Sequence, residues 1–292
     1  GASPQGVWVL DLEATRMWEI TSQPALTATW ADEDQVLCTP GEEDKPLPSL
    51  LISIGPPSQT HTETMRLNSP WSLSPDRRHI AQFRTDAANK QYVEVIALPG
   101  HEPLALSAQP TITGTVEAPL WSPDGRWIAY NAEGVGSTGN QDAYTIVVDT
   151  TGMNDTRIIT PLFAQAWSPD SRLLAGPVCS DDGCPLGVAD LWSNRLRVPA
   201  DAGAMSPDNS GRHAGHLWDL ALSPQGGYLA YSQTGGDPDL QGLMLWDRAT
   251  DEHRALLSDE GNPFTDLEWT PDGCRLYAAQ LKGRDEETRE VE

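Results

Sequence analysis

The residues best able to do chemistry lie close together in one stretch, Pro199 to Asp219, where His213, His216 and Asp219 stand in an H-x-x-H-x-x-D pattern. Two imidazoles and a carboxylate are donors that a transition metal accepts. H-x-x-H brings both rings to one metal only on a helical turn, and nothing in Pro199–Asp219 argues for a helix. A polar binding loop, or a plain connector, therefore ranks above a metal centre. Trp218 closes the stretch and offers a flat aromatic platform to a ligand. Asp237 and Asp239 sit in the next loop and add carboxylates. The candidate ligand-binding residues are thus His213, His216, Trp218, Asp237 and Asp239. Glu42, Glu43, Asp44, Glu133, Asp142, Asp181 and Asp182 occupy comparable loops. Together they make an acidic rim that suits a basic peptide or, through several oxygens, calcium. No D-x-[DN]-x-[DN]-G loop is present, so no cofactor is assigned; calcium or a transition metal is the alternative.

Other motifs carry less. Gly134-Val-Gly-Ser-Thr-Gly139 matches G-x-G-x-x-G, but phosphate binding there needs a helix N-terminus. The segment instead joins two strands. No G-x-S-x-G occurs, which removes the usual serine-hydrolase elbow. The serines Ser74, Ser122, Ser168 and Ser223, and the aspartates Asp76, Asp124, Asp170 and Asp272, belong to turn sequences. No catalytic residue is assigned.

The elements that position these groups follow from composition and repetition. The 292 residues are 38% apolar, enough for a core, and no apolar run approaches the roughly 20 residues of a membrane-spanning helix. A net charge of -23 disfavours nucleic acid and anionic lipid. The first residues, GASPQGVWVL, contain no signal-peptide pattern. Cys179 and Cys184 flank Ser-Asp-Asp-Gly, a turn that would bring them together as a disulfide. Two free thiols and a redox pair are the other readings. The tail from Arg284 to Glu292 reads as a solvated, charged end or a linker.

One phrase recurs: Trp121-Ser-Pro-Asp-Gly-Arg-Trp-Ile-Ala-Tyr130, Trp167-Ser-Pro-Asp-Ser-Arg-Leu-Leu-Ala-Gly176 and Trp269-Thr-Pro-Asp-Gly-Cys-Arg-Leu-Tyr-Ala278. Weaker copies start at Leu73 and Leu222, and an eroded one at Trp30. The proline positions, or their equivalents, are 32, 75, 123, 169, 224 and 271, spaced by 43 to 55 residues. That is the period of a four-stranded propeller blade. Within each phrase Pro presets φ, Asp bonds its own following backbone and Gly accepts positive φ, so the chain reverses as a hairpin. The hairpin supplies strands A and B. A third strand ending in Asp149, Asp190 or Asp247, and a fourth after it, complete the blade.

Gly6 to Thr21 aligns with strands C and D, and the chain ends after a lone A–B hairpin. The N-terminal strands are therefore expected to pair with the C-terminal hairpin and close a ring of six four-stranded antiparallel blades. The expectation is all-β, one domain over 1–292. Blade 1 spans about 24–66, blade 2 about 67–112, blade 3 about 113–161, blade 4 about 162–200 and blade 5 about 217–258. Blade 6 combines 263–282 with 5–21, and 199–219 is an inserted loop. The insertion should lie on the face bearing the B–C loops, near the central channel. Trp30, Trp121, Trp167 and Trp269 are expected in the core near strand A. Cys38 and Cys274 are expected to be buried, unpaired thiols.

The W-S-P-D-G-x-x-[IL]-A phrase resembles the TolB-type six-bladed β-propeller repeat, which is similar to the propellers of prolyl-oligopeptidase-like enzymes. The resemblance covers essentially the whole chain. It departs at Ala31-Asp-Glu-Asp, which lacks Ser-Pro, and at Leu73 and Leu222, which replace Trp. It implies a non-catalytic module that binds a protein, peptide or glycan on its loop-rich face, outside the cytoplasm at a periplasmic or cell-surface location. A metal-assisted hydrolase or lyase over the central channel, and a structural subunit of a cell-surface assembly, are the alternatives.

Overall fold

The computed structural model describes residues 7–11, 16–22, 25–32, 34–42, 45–46, 49–54, 61–65, 67, 70–85, 87, 91–98, 103–105, 118–135, 141–151, 156–159, 161–178, 184–199, 216–234, 241–258, 262–282 and 285–291. Among them every regular element is a β-strand.

The chain divides into two compact units. In the first, Gly1–Arg84 with Val93–Ala105, β1 (Val7–Asp11) pairs with β2 (Arg16–Thr21). A second sheet holds β3 (Ala25–Asp32), β4 (Gln35–Glu42), the two-residue β5 (Lys45–Pro46), β6 (Ser49–Ser53) and β7 (His61–Met65). A third is built from β8 (Trp71–Leu73), β9 (His79–Thr85), β10 (Gln91–Ala97) and β11 (Pro103–Ala105). Ala31, Leu37 and Leu51 of the second sheet pack against Ile80, Trp71 and Leu73 of the third.

The second unit, Thr85–Tyr92 with Leu106–Glu292, carries four successive antiparallel sheets. They are β12 (Leu120–Trp121), β13 (Trp127–Val135), β14 (Gln141–Asp149) and β15 (Thr156–Ile159); then β16 (Ala166–Trp167), β17 (Leu173–Pro177), β18 (Leu186–Asp190) and β19 (Arg195–Arg197). Next come β20 (His216–Leu222), β21 (Tyr228–Thr234), β22 (Gly242–Asp247) and β23 (Glu252–Leu257), and finally β24 (Phe264–Trp269), β25 (Leu276–Lys282) and β26 (Asp285–Val291). In the three four-stranded sheets here the strands run in chain order, each on its predecessor. First strands of successive sheets lie against one another, β12 on β16, β16 on β20 and β20 on β24. The third strands read Ile146-Val-Val148 and Leu243-Met-Leu-Trp246, apolar at every position because both faces are buried.

The core is therefore a series of layers between sheets. Leu173, Ala175, Leu186 and Val188 meet Leu222, Leu229, Tyr231, Met244 and Trp246 in one layer. Trp127, Ala129 and Val147 meet Leu174, Ala189 and Leu191 in another, and Leu243 and Leu245 meet Phe264, Leu276 and Ala278 in a third. Gly176 marks how closely the strands approach: a Cβ there would stand 1.9 Å from the Phe163 carbonyl oxygen.

The repeated turns fold as their residues dictate. Ser122 Oγ donates to Asp124 Oδ1 at 2.6 Å and accepts the Trp127 N–H at 2.9 Å, while Asp124 Oδ1 also accepts the Arg126 N–H at 3.0 Å. Ser74 with Asp76, Ser168 with Asp170, and Thr270 with Asp272 repeat the arrangement. The turn's left-handed position is taken by Gly125, Gly226 and Gly273, and by Arg77 and Ser171 at φ 59 each. These side chains are thus engaged in turns.

Three expectations change. The repeat tryptophans are not sequestered: Trp30 is 41% exposed and Trp121, Trp167 and Trp269 are half-buried. Among the described residues the fully buried tryptophans are Trp127 and Trp246, on the second and third strands, where apolar layers cover both faces. Half-burial leaves the indole N–H of Trp167 and Trp269 free to donate to the preceding sheet, to Leu120 O and Ala221 O at 3.1 Å each. Cys274 is an exposed free thiol, because it lies in the turn between β24 and β25; Cys38 is buried and free as expected. The acidic tail forms β26 along β25, from Leu276↔Val291 to Lys282↔Asp285. Backbone pairing along an open edge tolerates this charged sequence.

Candidate functional site

The stretch singled out by the sequence ends in β20. His213, Asp237 and Asp239 lie outside the described residues, as do Asp181, Asp182 and Cys179. His216 begins β20, opposite Thr234 at the end of β21, so the inserted stretch gives way to a strand at this histidine.

Trp218 is the best-defined member of the set. Leu217 pairs with Gln233 and Asp219 with Ser232, so Trp218 is the extra residue of a β-bulge. A bulge re-aims the side chain it carries, and Trp218 is 45% exposed. Its indole N–H donates to Thr234 Oγ1 at 2.7 Å, which fixes the ring while leaving much of its surface open. The position is the end of β20 and β21 from which the connection to β22 departs, the loop-bearing end anticipated from the repeat.

Asp219 turns the other way. Its Oδ1 accepts the Leu220 N–H at 2.7 Å and its Oδ2 the Leu267 N–H at 2.8 Å, tying β20 to a second bulge between Thr265 and Glu268. Asp266, in that bulge, is exposed at φ 53. Burial pushes the Asp219 carboxyl above its ordinary range; the two backbone donors oppose this, and the nearby Asp266 charge adds to it. With both oxygens holding backbone N–H groups, Asp219 anchors the bulged strands. Among the described residues no group of three His, Cys, Asp or Glu side chains is placed to hold a metal.

The G-x-G-x-x-G segment begins in a strand, with Gly134 paired to Asp142. Cys184 is buried in the layer between the second and third sheets of this unit, and it is not one of the free thiols.

A second family of contacts was not anticipated. The aspartates that end the third strands β14 and β18 are each bound to an arginine of their own hairpin turn. Arg126 Nε and Nη2 both reach Asp149 Oδ2 at 3.4 Å, and Arg172 Nε and Nη2 reach Asp190 Oδ2 at 3.1 and 2.6 Å. The Arg172 guanidinium bonding to Asp190 brings that carboxyl down to about 2, against a smaller cost of burial. Arg157 lies over both Trp127 and Trp192, at 5.2 and 5.4 Å, and joins blades 3 and 4. The signal was present in the repeat: Arg stands three residues after proline at 78, 126 and 172.

No protein-family model and no curated protein matches the chain. Its structural neighbours are TolB-like β-propeller proteins. The putative TolB from Agrobacterium tumefaciens aligns at a TM-score of 0.50 and 15% identity, over 100% of this chain and 99% of that one. An oligogalacturonate lyase in complex with manganese aligns at 0.57 and 14%, over 89% of this chain and 74% of its own. A prolyl endopeptidase aligns at 0.55 and 14%, and there the chain covers 40% of the larger protein. The chain spans 56% of the length of TolB from Acinetobacter baumannii. At these identities the likeness is one of fold, shared by enzymes and by proteins not named as enzymes.

Proposed function

We propose that this chain is a non-catalytic, TolB-like binding or scaffold module that takes a protein, peptide or glycan on its loop-bearing face, in a periplasmic or cell-surface setting. The observation that carries the reading is Trp218: an exposed ring, re-aimed by a bulge and held by Thr234, at the end of the strands where the acidic loops emerge. Rigid aromatic platforms of this kind give contact area at low entropic cost. In this reading His213, His216, Asp237 and Asp239, which lie near Trp218 and Thr234 in sequence, supply polar partners. The architecture in this reading is one domain of six blades. The apolar Val7-Trp-Val-Leu10 run has the composition of the other third strands. Cys179 and Cys184 pair as a disulfide, which fits an oxidising compartment.

Peptide and glycan arrays probed with wild type and Trp218→Ala test the reading, combined with native mass spectrometry before and after a chelator. The expected result is an array ligand whose binding falls about tenfold or more in Trp218→Ala, with no stoichiometric metal. A divalent metal lost to the chelator together with His213→Ala would replace this reading by a metal-assisted hydrolase or lyase.

A further inference from the structure

In blade 5 the repeated pairing of aspartate with arginine is incomplete. Asp247 ends β22 as Asp149 ends β14 and Asp190 ends β18. Three residues past its proline, however, this blade has Gly227 in place of Arg126 or Arg172. The backbone equivalence is direct: Arg126 O accepts the Thr150 N–H, Arg172 O the Leu191 N–H and Gly227 O the Arg248 N–H. A Cβ built at Gly227 meets nothing within 4 Å.

Beside it is a cavity of about 640 Å³ lined by Tyr228, Leu245, Asp247, Asp251, Glu252 and Arg254, among others. Tyr228, Asp247 and Glu252 form one cross-strand row, because Tyr228 pairs with Asp247 and Asp247 with Glu252. Asp247 Oδ1 accepts the Ala249 and Thr250 N–H groups at 2.8 and 3.3 Å, and no described arginine reaches the carboxylate. Tyr228 occupies the place of Trp127, over which Arg126 lies at 4.9 Å, and it stacks on Trp269 with centroids 6.4 Å apart. Arg254 corresponds by register to Arg157, since Leu245 pairs with Arg254 as Val147 does with Arg157. Blade 3 holds Arg126 and Arg157 over one Trp127 ring, so a second guanidinium beside Arg254 has a precedent within this chain.

We propose that this cavity receives the guanidinium of an arginine side chain presented by a partner peptide, seated against Asp247 and over Tyr228 where Arg126 sits in blade 3. The site is separate from the loop-bearing end and does not depend on Trp218. Guanidinium is favoured over ammonium because its planar fork bonds a carboxylate with two N–H groups and stacks on an aromatic face. The probe is the blocked tripeptide Gly-Arg-Gly, with Gly-citrulline-Gly as its uncharged isostere, titrated by NMR on the Trp269 indole resonance. The arginine peptide is expected to produce a saturable shift with a Kd of about 1 mM, and the citrulline peptide none. Asp247→Asn should weaken binding by about fivefold or more. Gly227→Arg should abolish it while keeping the native circular dichroism, because the chain then supplies its own guanidinium. Should Gly227→Arg fail to fold, Asp247→Asn and the citrulline comparison still decide. Equal shifts from arginine and citrulline, no shift from either, or wild-type binding in Asp247→Asn would overturn the proposal.

Discussion

Ser122→Ala isolates the contribution of the turn hydroxyl that the repeat carries in five of its copies as Ser or Thr. Ser122 is fully buried, its Oγ accepts the Trp127 N–H at 2.9 Å, and Trp127 is itself 1% exposed. Removing the hydroxyl loses one net hydrogen bond, about 1 kcal/mol, and leaves the Asp124 carboxylate without its 2.6 Å donor. It also strips a side-chain acceptor from a buried backbone donor, which adds about 1 kcal/mol or more. The expected loss is therefore about 2 kcal/mol. With a urea m-value of about 3 kcal/mol/M, the midpoint should fall by about 0.7 M. Tryptophan fluorescence across a urea titration reads this directly. Thr270→Ser in blade 6 is the matched control: the hydroxyl that donates to Asp272 at 2.5 Å is retained, so the change should stay below about 0.5 kcal/mol. A Ser122→Ala protein within about 0.5 kcal/mol of wild type would refute the assignment, as would a Thr270→Ser protein destabilised as much as Ser122→Ala.

The remaining expectations are shorter. Gly176→Ala would force a Cβ to 1.9 Å from the Phe163 carbonyl oxygen, so it should cost more than about 3 kcal/mol or prevent soluble expression; a normal melting temperature would contradict the close approach of these strands. Asp190 has a folded pKa lowered to about 2 from 3.8, so the stability it contributes is complete above pH 3.8 and disappears as pH falls toward 2. With Arg172 half exposed, the contribution is about 1 kcal/mol, and Asp190→Asn should flatten the acid limb of a stability–pH profile by that amount. Thiol titration should find one reactive cysteine in the native protein, Cys274, and two after unfolding without reductant, when Cys38 is released. Four would appear only after reduction, and four without reductant would remove the Cys179–Cys184 bridge. Deleting residues 285–292 uncovers the edge of β25 that β26 pairs, so the melting temperature should fall by several degrees, and an unchanged value would show that this pairing adds no stability.

Much of the fold was legible because its information is local and repeated. Ser-Pro-Asp-Gly fixes a hairpin from within four residues, and the third strands announce themselves by apolar runs bounded by Asp149, Asp190 and Asp247. The edge of β25 was not legible in the same way. Pairing there is decided by backbone groups that any sequence presents, so Asp285–Val291 could take it despite a composition that reads as solvated. The burial of the tryptophans was misjudged for a related reason: the repeat phrase tells which residue is constant, not which strand lies deepest. Trp121, Trp167 and Trp269 share a place in the phrase, yet the burial belongs to Trp127 and Trp246 because their strands have layers on both faces. Of the candidate stretch the described side chains include Trp218 and Asp219, and their residue types did not foretell the bulges of β20 and β24 that set where each points. Bulges depend on the pairing of two strands, so the backbone N–H groups of Leu220 and Leu267 that Asp219 holds could not be read from residue types.

The repeat is more informative about function where it fails than where it holds. A position filled alike in every blade answers to the turn or the layer and can be explained without any ligand. The third position past the proline is not so filled: it is Arg at 78, 126 and 172, Gly at 227 and Cys at 274, and what Gly227 interrupts is the arrangement of blade 3, with Asp247, Tyr228 and Arg254 in the places of Asp149, Trp127 and Arg157. Loss of a purely structural ion pair would leave a partly exposed carboxylate that costs little, since such pairs contribute about 1 kcal/mol or less. Blade 5 has instead kept Glu252 beside Asp247 on the open side, with Arg254 and His253 in the lining and Asp251 engaged by Arg197 at 3.4 Å and by the Trp246 indole N–H at 3.0 Å. A site whose surroundings already match a guanidinium elsewhere in the same molecule binds that group with little reorganisation. The inserted stretch before β20 enters the same blade. Two departures from the repeat, the insertion that leads into Trp218 and the glycine beside the cavity, fall in blade 5, which makes this blade the first place to look for recognition.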